Sequence, residues 1–169
     1  CLTSEQETGT TLSHLSLYDG RIVVTDSAVA RWLGETYMAM DQASWANLRE
    51  IGLYSLMARA IRIGLDQHVI DESDFWKTDE VVWQKLKSSD HPELRQQIRA
   101  LSTETRFELD SSAPTFLVNV KLRTIDPDIL MDGKTIPLSS IEPRFARDRL
   151  DYLKKGRDPW PIKVHYHKT

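Results

Sequence analysis

The feature that most constrains the fold is a stretch of about forty residues, 26–65, that contains no proline. Within it, mostly apolar residues recur at steps of three and four, which is the period of an α-helix with one apolar face. The recurring positions are Trp32, Leu33, Thr36, Tyr37, Met40, Trp45, Leu48, Ile51, Tyr54, Ala58, Ile61 and Leu65. The sequence therefore predicts that helix dominates this part of the chain.

The stretch is too long for one ordinary globular helix, which spans about 8–20 residues. We therefore expect two helices or one kinked helix, with the interruption at Gly34 or at the polar pair Asp41 and Gln42. Asp26 or Ser27 is expected to begin the first helix. A short polar side chain at that position accepts a backbone N–H group that has no partner inside the helix.

Shorter elements are predicted on both sides of this stretch. Residues 1–11 are polar and aperiodic and predict a flexible lead-in. Residues 14–24 predict a hairpin that turns at Asp19-Gly20. Two helices are predicted over 79–88 and 92–103, because each begins with a capping residue or an early proline.

The tail has a different composition. Residues 115–122 are rich in β-branched residues and predict a strand, 144–155 predicts a helix that ends at Gly156, and 161–167 predicts a last strand. We therefore expect a mainly α fold with a small α+β C-terminal unit, in which long antiparallel or kinked helices precede a strand–helix–strand.

Three segments follow from these elements. They are a lead-in with a short hairpin over 1–25, a helical domain over 26–104, and a small α+β subdomain over 105–169. A length of 169 residues agrees with about one domain that carries a small appendage.

The bulk properties limit the class of protein. Forty per cent hydrophobic and 28% charged residues are ordinary for a soluble chain with a core. A net charge of −3 argues against a dedicated nucleic-acid surface, which is usually strongly basic. No apolar run approaches the roughly 18 residues that cross a bilayer, so we expect no membrane association. The single cysteine permits no intrachain disulfide, which agrees with a cytoplasmic location.

Cys1 allows a second interpretation. A cysteine at the first position followed by polar residues is similar to the start of a mature lipidated, exported protein. We favour the simpler alternative, in which the numbering begins at the start of a fragment or cleavage product.

The sequence contains no recognisable catalytic motif. It has no His-Asp pair, no phosphate-binding glycine loop and no G-x-S-x-G segment. His165 and His167 share one face of the last predicted strand and could hold a metal ion. We favour an exposed strand end, because no cysteine or carboxylate pattern accompanies them. We therefore assign no catalytic and no metal-binding residue to this chain.

Three arginines in the second half of the long stretch, Arg49, Arg59 and Arg62, fall close to one helical side. They could bind a phosphate-bearing ligand through charge-assisted hydrogen bonds. We favour the alternative of a solvated helical face that also carries Glu50.

The tryptophans are interpreted as packing residues. Trp32 and Trp45 lie on the apolar stripe and are expected in a core or an interface. Trp76 and Trp83 are expected to seal a loop and a short helix onto the long helical stretch.

The segment DGRIVVTDSAVARWLGETYMAMDQASWANLREIGLYSLMARAIRIGL resembles the region that directly follows the metal-binding domain in HD-domain phosphohydrolases, a group that includes deoxynucleotide triphosphohydrolases. In that family a short hairpin precedes a helix with an Arg-Tyr-x-Met-Tyr-like stretch. A Tyr-x-His-Lys or Tyr-Trp-His-His segment and a long helix follow. Here residues 37–40 and 44–47 occupy those two places, and the later segments IDPDILMDGKTIPLSS and WPIKVHY resemble the family's small α+β tail.

The resemblance implies a nucleotide-binding role for Tyr37 and Asn47, with Arg49 as a substitute contact close in register. The chain departs from the family where Thr36 stands for the arginine and where Ser44, Ala46 and Asn47 stand for the Tyr-x-His-Lys contacts. The family's metal ligands, a histidine, a His-Asp pair and an aspartate, have no counterpart here.

The function implied is that of the C-terminal helical portion of an HD-superfamily phosphohydrolase. The full-length parent would hydrolyse nucleotide phosphates with a divalent metal, Mn, Mg or Fe, held in its HD domain, whereas this chain needs no cofactor of its own. Whether the parent is an active enzyme stays open. Expected partners are a nucleotide and either a second copy or the chain's own HD domain. The alternative is a non-catalytic protein-interaction or oligomerisation module.

Overall fold

The computed structural model describes residues 4–166, apart from the side chains of residues 6 and 7. About 52% of the described residues are helical, with the 3-10 helix included, and 18% are in strands, so the fold is mixed α/β. The prediction of a mainly α chain is confirmed only in part, because the strands form two separate sheets.

The helices and strands begin and end as follows. In chain order they are α1 (Glu5–Ser13), β1 (Leu15–Tyr18), β2 (Arg21–Val24), α2 (Ser27–Ala43), α3 (Leu48–Asp66), a 3-10 helix (Glu72–Trp76), α4 (Asp79–Ser88), α5 (Pro92–Ala100), β3 (Arg106–Leu109), β4 (Phe116–Val118), β5 (Asp128–Met131), β6 (Lys134–Pro137), α6 (Leu138–Ile141), α7 (Pro143–Lys154) and β7 (Trp160–His165).

The chain packs as two compact units, and each unit draws on two separated stretches of sequence. Unit 1 consists of residues 1–47 and 119–158, and unit 2 consists of residues 48–118 and 159–169. The three segments drawn from the sequence remain a prediction about domains. The observed units show that the tail contributes to both of them.

Unit 1 contains a four-stranded sheet in the order β1-β2-β5-β6. The predicted hairpin is present, and it turns at Asp19 and Gly20, which both have positive φ. Asp26 caps α2 as predicted, because its carboxylate accepts the N–H of Val29 at 2.9 Å. The pKa of Asp26 is lowered mainly by this hydrogen bond, which favours the ionised form.

The core of unit 1 lies between α2, the sheet, α6 and α7. Its buried residues are Val24, Ala30, Met38, Ile129, Leu138, Phe145 and Tyr152. Gly34 lies within α2, where an added Cβ would come within 2.5 Å of the Phe145 ring. Glycine is therefore required for close packing of α7 on α2, and Gly34 does not interrupt the helix.

Unit 2 contains the second sheet, in the order β3-β7-β4, with α3 packed on it. One core cluster joins α3 to α4 and α5 through Ala60, Ile70, Leu86 and Leu94. A second cluster joins α3 to the sheet through Leu56, Ala100 and Val164. Long-range antiparallel pairing of β7 with both β3 and β4 closes this unit.

Several sequence predictions require correction. The long stretch divides into two helices as expected, but the interruption lies at residues 44–47 and neither predicted break is used. Residues 5–13 form a helix where a flexible lead-in was predicted. The strand predicted over 115–122 is only three residues long, because its partner β7 begins at Trp160, opposite Val118.

Candidate functional site

The last turn of α2 carries a carboxylate that is withdrawn from solvent. Asp41 has no exposed surface, although it is an acidic residue in unit 1. Its Oδ2 accepts two hydrogen bonds, from the backbone N–H of Arg123 at 2.9 Å and from the hydroxyl of Tyr152 at 2.8 Å. Since buried carboxylates are destabilising unless they have partners, this arrangement needs all three groups in place.

The second oxygen of Asp41 has a different environment. Within residues 4–166, Oδ1 accepts no hydrogen bond, although it is fully buried. The nearest cation is the guanidinium of Arg123, whose Nη1 lies 4.0 Å away and whose side chain is 49% exposed. Arg123 therefore spans from a buried carboxylate to the surface, where its donors remain accessible to an anion.

Tyr152 acts as a neutral hydrogen-bond donor in this cluster. Burial raises the pKa of the Tyr152 phenol well above its ordinary value of 10.0, and both the hydrogen bond to Asp41 and the negative charge of Asp41 add to the effect. The ammonium group of Lys155 lies 5.7 Å from the centre of the Tyr152 ring. Consequently the phenol keeps its proton over the whole physiological range of pH.

The predicted contact residue Tyr37 lies one helical turn before Asp41 on α2, so the two residues share a face. Tyr37 is half-buried, as is Asn47, which follows α2 and donates its backbone N–H to the carbonyl of Ser44 at 3.1 Å. Both belong to unit 1. The role that the resemblance implies for them remains a prediction.

The third predicted contact residue, Arg49, lies in the first turn of α3 in unit 2. Its guanidinium donates to the carbonyl of Ser102 at 3.4 Å and lies 4.0 Å from the carboxylate of Glu50. The arginine is therefore engaged with its own unit, and a ligand phosphate would have to share it.

The other two arginines of the predicted group also lie on α3. Arg59 pairs with Glu93 at 2.7 Å, and both side chains are more than 40% exposed. Arg62 is exposed. Both arginines lie on an exposed part of α3, and the choice between a solvated face and a phosphate site stays a prediction.

Of the two histidines that were considered as metal ligands, only His165 lies within the described residues. Nε2 of His165 lies 3.0 Å from Glu108, which in turn pairs with Lys163 at 3.3 Å. His167 lies outside the described residues, as does Cys1. Over residues 4–166, no group of three His, Cys, Asp or Glu residues is arranged to hold a metal ion.

Of the four tryptophans interpreted as packing residues, Trp32 and Trp83 are half-buried, whereas Trp45 and Trp76 are exposed. Trp76 was expected to seal a loop, yet 92% of its surface is exposed. Trp45 is 53% exposed, which leaves the interface alternative and removes the core alternative. No described helix combines the length and the apolar character needed to cross a membrane.

The Asp41 cluster is the part of the site that sequence reasoning missed. Its partners Arg123 and Tyr152 follow Asp41 by 82 and 111 residues, so no local sequence motif predicts the cluster. One signal was available, because an acid that shares a helical face with Tyr37 in the apolar stripe predicts a buried carboxylate.

These observations define a mixed α/β chain of two units with a buried carboxylate–phenol–arginine cluster. Neither a family model nor a solved structure matches the chain. It is similar to the uncharacterized protein YdhJ of Bacillus subtilis (strain 168), with 28% identity over 158 residues. The match covers 94% of this chain and 49% of YdhJ, so the chain spans about half the length of this curated relative.

Proposed function

We propose that this chain is the portion of an HD-superfamily phosphohydrolase that follows the catalytic domain, and that it shapes one wall of a nucleotide-binding pocket. The observation that carries the proposal is the order of elements over 15–66. A hairpin is followed by α2 with Tyr37, a short non-helical link at 44–47, and the long helix α3. This is the order that the family resemblance implies for this region.

The length of the relative agrees with this proposal. YdhJ is about twice as long as the region matched here, which leaves room in that protein for a further domain. Under this proposal the parent of our chain carries the HD motif and its divalent metal, Mn, Mg or Fe, in such a domain. No step of the reaction is assigned to this chain, because the family's metal ligands have no counterpart in its sequence.

The residues of this chain act by binding. We propose that Tyr37 and Asn47 of unit 1 contact the nucleotide, as the resemblance implies. The role that the resemblance implies for Arg49, which belongs to unit 2, stays a separate prediction. Arg123 is added from the geometry, because its guanidinium is half-exposed and its backbone is fixed by Asp41. A guanidinium suits a phosphate, since its donors match two phosphate oxygens at once.

Nucleotide binding is tested by thermal unfolding of the 169-residue chain with each deoxynucleoside triphosphate. A ligand that binds only the folded form adds about 2.7 kcal/mol of stability at a hundredfold excess over its Kd. We expect Arg123→Ala to remove the shift in melting temperature. Arg62→Ala is the matched control, because this arginine is also exposed. Equal shifts in both variants, or no shift with any nucleotide, would reject the proposed binding role.

Catalysis is tested separately. The purified chain is incubated with deoxynucleotides and manganese, and released phosphate is measured. We expect no turnover, because the family's metal ligands have no counterpart in this sequence. Hydrolysis by the pure chain would contradict the assignment of the reaction to another domain.

A second candidate function is a non-catalytic oligomerisation module. It is favoured by two large apolar side chains at the end of α2, Met40 and Trp45, which are 44% and 53% exposed. Exposed aromatic residues of this kind often mark protein contacts. Solution mass of the Trp45→Ala variant tests it, and an unchanged oligomeric state would remove this candidate. Cytoplasmic location remains a prediction under both functions.

A further inference from the structure

Trp76 is unusual because 92% of its surface is exposed. It ends the 3-10 helix of unit 2 and follows Phe75, which is 47% exposed. We call these two residues the aromatic surface. Large aromatic side chains that protrude into solvent are more often contact residues than accidents of packing, since they offer much apolar area at small entropic loss.

The backbone that presents the aromatic surface is held firmly. Asp74, directly before Phe75, is fully buried and accepts hydrogen bonds from Lys85 at 2.7 Å and from Lys77 at 2.9 Å. Asp74 also accepts the N–H of Asp71 at 3.0 Å, which completes a capping box. A binding surface that is ordered before binding loses less conformational entropy in the complex.

The surroundings of the aromatic surface are acidic. Residues 71–80 carry four exposed acids and one exposed lysine, in addition to the buried Asp74. Glu72 lies three positions before Phe75, so the two share one side of the 3-10 helix. Negative charge around the aromatic surface repels nucleic acid and anionic lipid. It favours a partner that combines positive charge with apolar side chains, because cations also bind the faces of tryptophan rings.

A surface of this chemistry exists in unit 1. Residues 143–157, which include α7, contain six arginines and lysines and two aspartates. On α7, Arg147, Leu150 and Lys154 lie opposite the buried residues Phe145 and Tyr152. Leu150 is 51% exposed. We call Arg147, Leu150 and Lys154 the cationic face.

We propose that a second copy of this chain is the partner, with the cationic face of one copy docked on the aromatic surface of the next. Leu150 packs on the rings, Arg147 stacks on Trp76, and the acids around Trp76 meet the basic charges. Lys154 pairs with Asp151 at 2.6 Å, and the charge of Arg147 also acts on Asp151, but within residues 4–166 no carboxylate lies within 4.0 Å of the Arg147 guanidinium. In a pair of copies, one uses its cationic face and the other uses its aromatic surface. The two surfaces that are not used can each bind a further copy, so assembly proceeds head to tail.

The proposal does not rest on nucleotide binding, because it uses other residues. It is tested by sedimentation equilibrium of the 169-residue chain up to about 1 mM, the range in which weak contacts are detected. We expect the mean mass to rise with concentration. It should fall when salt is raised from about 0.05 M to about 0.5 M, because exposed charges are then screened. A monomer at every concentration would overturn the proposal.

Variants identify the two surfaces. Trp76→Ala and Arg147→Glu are each expected to weaken association at least about tenfold, since each removes a central contact. Both residues are exposed, so the fold should be kept. Leu17→Ser is the matched control, because this hairpin residue is 73% exposed but lies on neither surface. Loss of association in the control with no loss in Trp76→Ala would overturn the proposal.

Mixing the two variants gives the sharpest test. Trp76→Ala keeps an intact cationic face and Arg147→Glu keeps an intact aromatic surface, so together they can form one interface. A heterodimer that stops at two copies is expected, while each variant alone stays monomeric. A mixture that contains only monomers would reject the head-to-tail contact, even where the unmodified chain associates.

Discussion

The two units each bury one aspartate completely, and the two carboxylates are held in different ways. Asp74 in unit 2 is surrounded by two lysines and a backbone N–H, so both of its oxygens accept hydrogen bonds. Asp41 in unit 1 uses one oxygen for two donors, while its other oxygen faces the guanidinium of Arg123 at 4.0 Å.

The difference shows what each carboxylate does. The partners of Asp74 all lie within residues 71–85, so the cluster fixes a local loop and presents the aromatic surface. The partners of Asp41 come from the segment after residue 118 and from α7, so this cluster joins parts of unit 1 that are distant in sequence. The carboxylate of Asp74 accepts hydrogen bonds at both oxygens from nearby residues, so its role is to stabilise the local fold. Asp41 has one oxygen that accepts no hydrogen bond within residues 4–166 and lies beside the half-exposed Arg123, an arrangement that suits a ligand-binding site.

The largest effect is expected from Asp41→Ala. The substitution leaves the Tyr152 hydroxyl and the Arg123 N–H buried without an acceptor, which lowers the free energy of unfolding by about 3 kcal/mol. Urea unfolding at pH 7 measures it. Asp41→Asn is the control, because its amide oxygen can still accept from both donors and should lose less. If both variants lose the same free energy of unfolding, the hydrogen bonds to Asp41 are not the source of the stability.

A smaller effect is expected from Tyr152→Phe, which removes only the hydroxyl. The loss should be about 1.5 kcal/mol, since one buried acceptor loses one donor. Tyr54→Phe is the matched control, because Tyr54 is 60% exposed and its hydroxyl is free to bond water. If both variants unfold at the same urea concentration as the unmodified chain, the link between α7 and Asp41 contributes nothing.

Asp74 should make the stability of the fold depend on pH. The hydrogen bonds from Lys85 first, and from Asp71 and Lys77, hold the pKa of Asp74 well below its ordinary 3.8. A lowered folded-state pKa contributes stability that is complete above the unfolded pKa of about 4 and is lost as the pH falls below it. Asp74→Asn should therefore narrow the stability difference between pH 6 and pH 3, as followed by thermal unfolding. An unchanged difference would rule out this carboxylate as a source of acid sensitivity.

The smallest effect on folding is expected from Trp76→Ala. Because the side chain is 92% exposed, its removal should change the free energy of unfolding by no more than about 0.5 kcal/mol. Leu56→Ala in the same unit removes a fully buried side chain and should lower it by about 3 kcal/mol. A large loss for Trp76→Ala would mean that the tryptophan serves the fold and would remove the basis for a contact surface.

Part of the fold could be predicted from interactions between residues that are close in sequence. The Asp19-Gly20 turn, the Asp26 cap and the helix over 79–88 were all predicted where the structure has them. Each depends on interactions within a few residues, such as positive φ at a turn or a side chain that accepts a nearby N–H. Thr78 directly precedes α4, but its side chain makes no capping hydrogen bond.

The sheets were less readable. Strand β3 and the strands β5 and β6 had no predicted counterpart. Short strands gain stability from partners far along the chain, and β3 pairs with β7 across more than fifty residues. A four-residue segment alone carries too little pattern to reveal such a partner.

The sequence by itself determined the helical character of 27–66, the hairpin before it and the absence of a recognisable catalytic motif, because periodicity, capping and motif spacing are local properties. Tertiary structure alone decided that Asp41 meets Tyr152 and Arg123, that the tail is shared by two units, and that Trp76 faces solvent. Those outcomes depend on which distant surfaces exclude water from one another, and that choice is made by the whole chain at once.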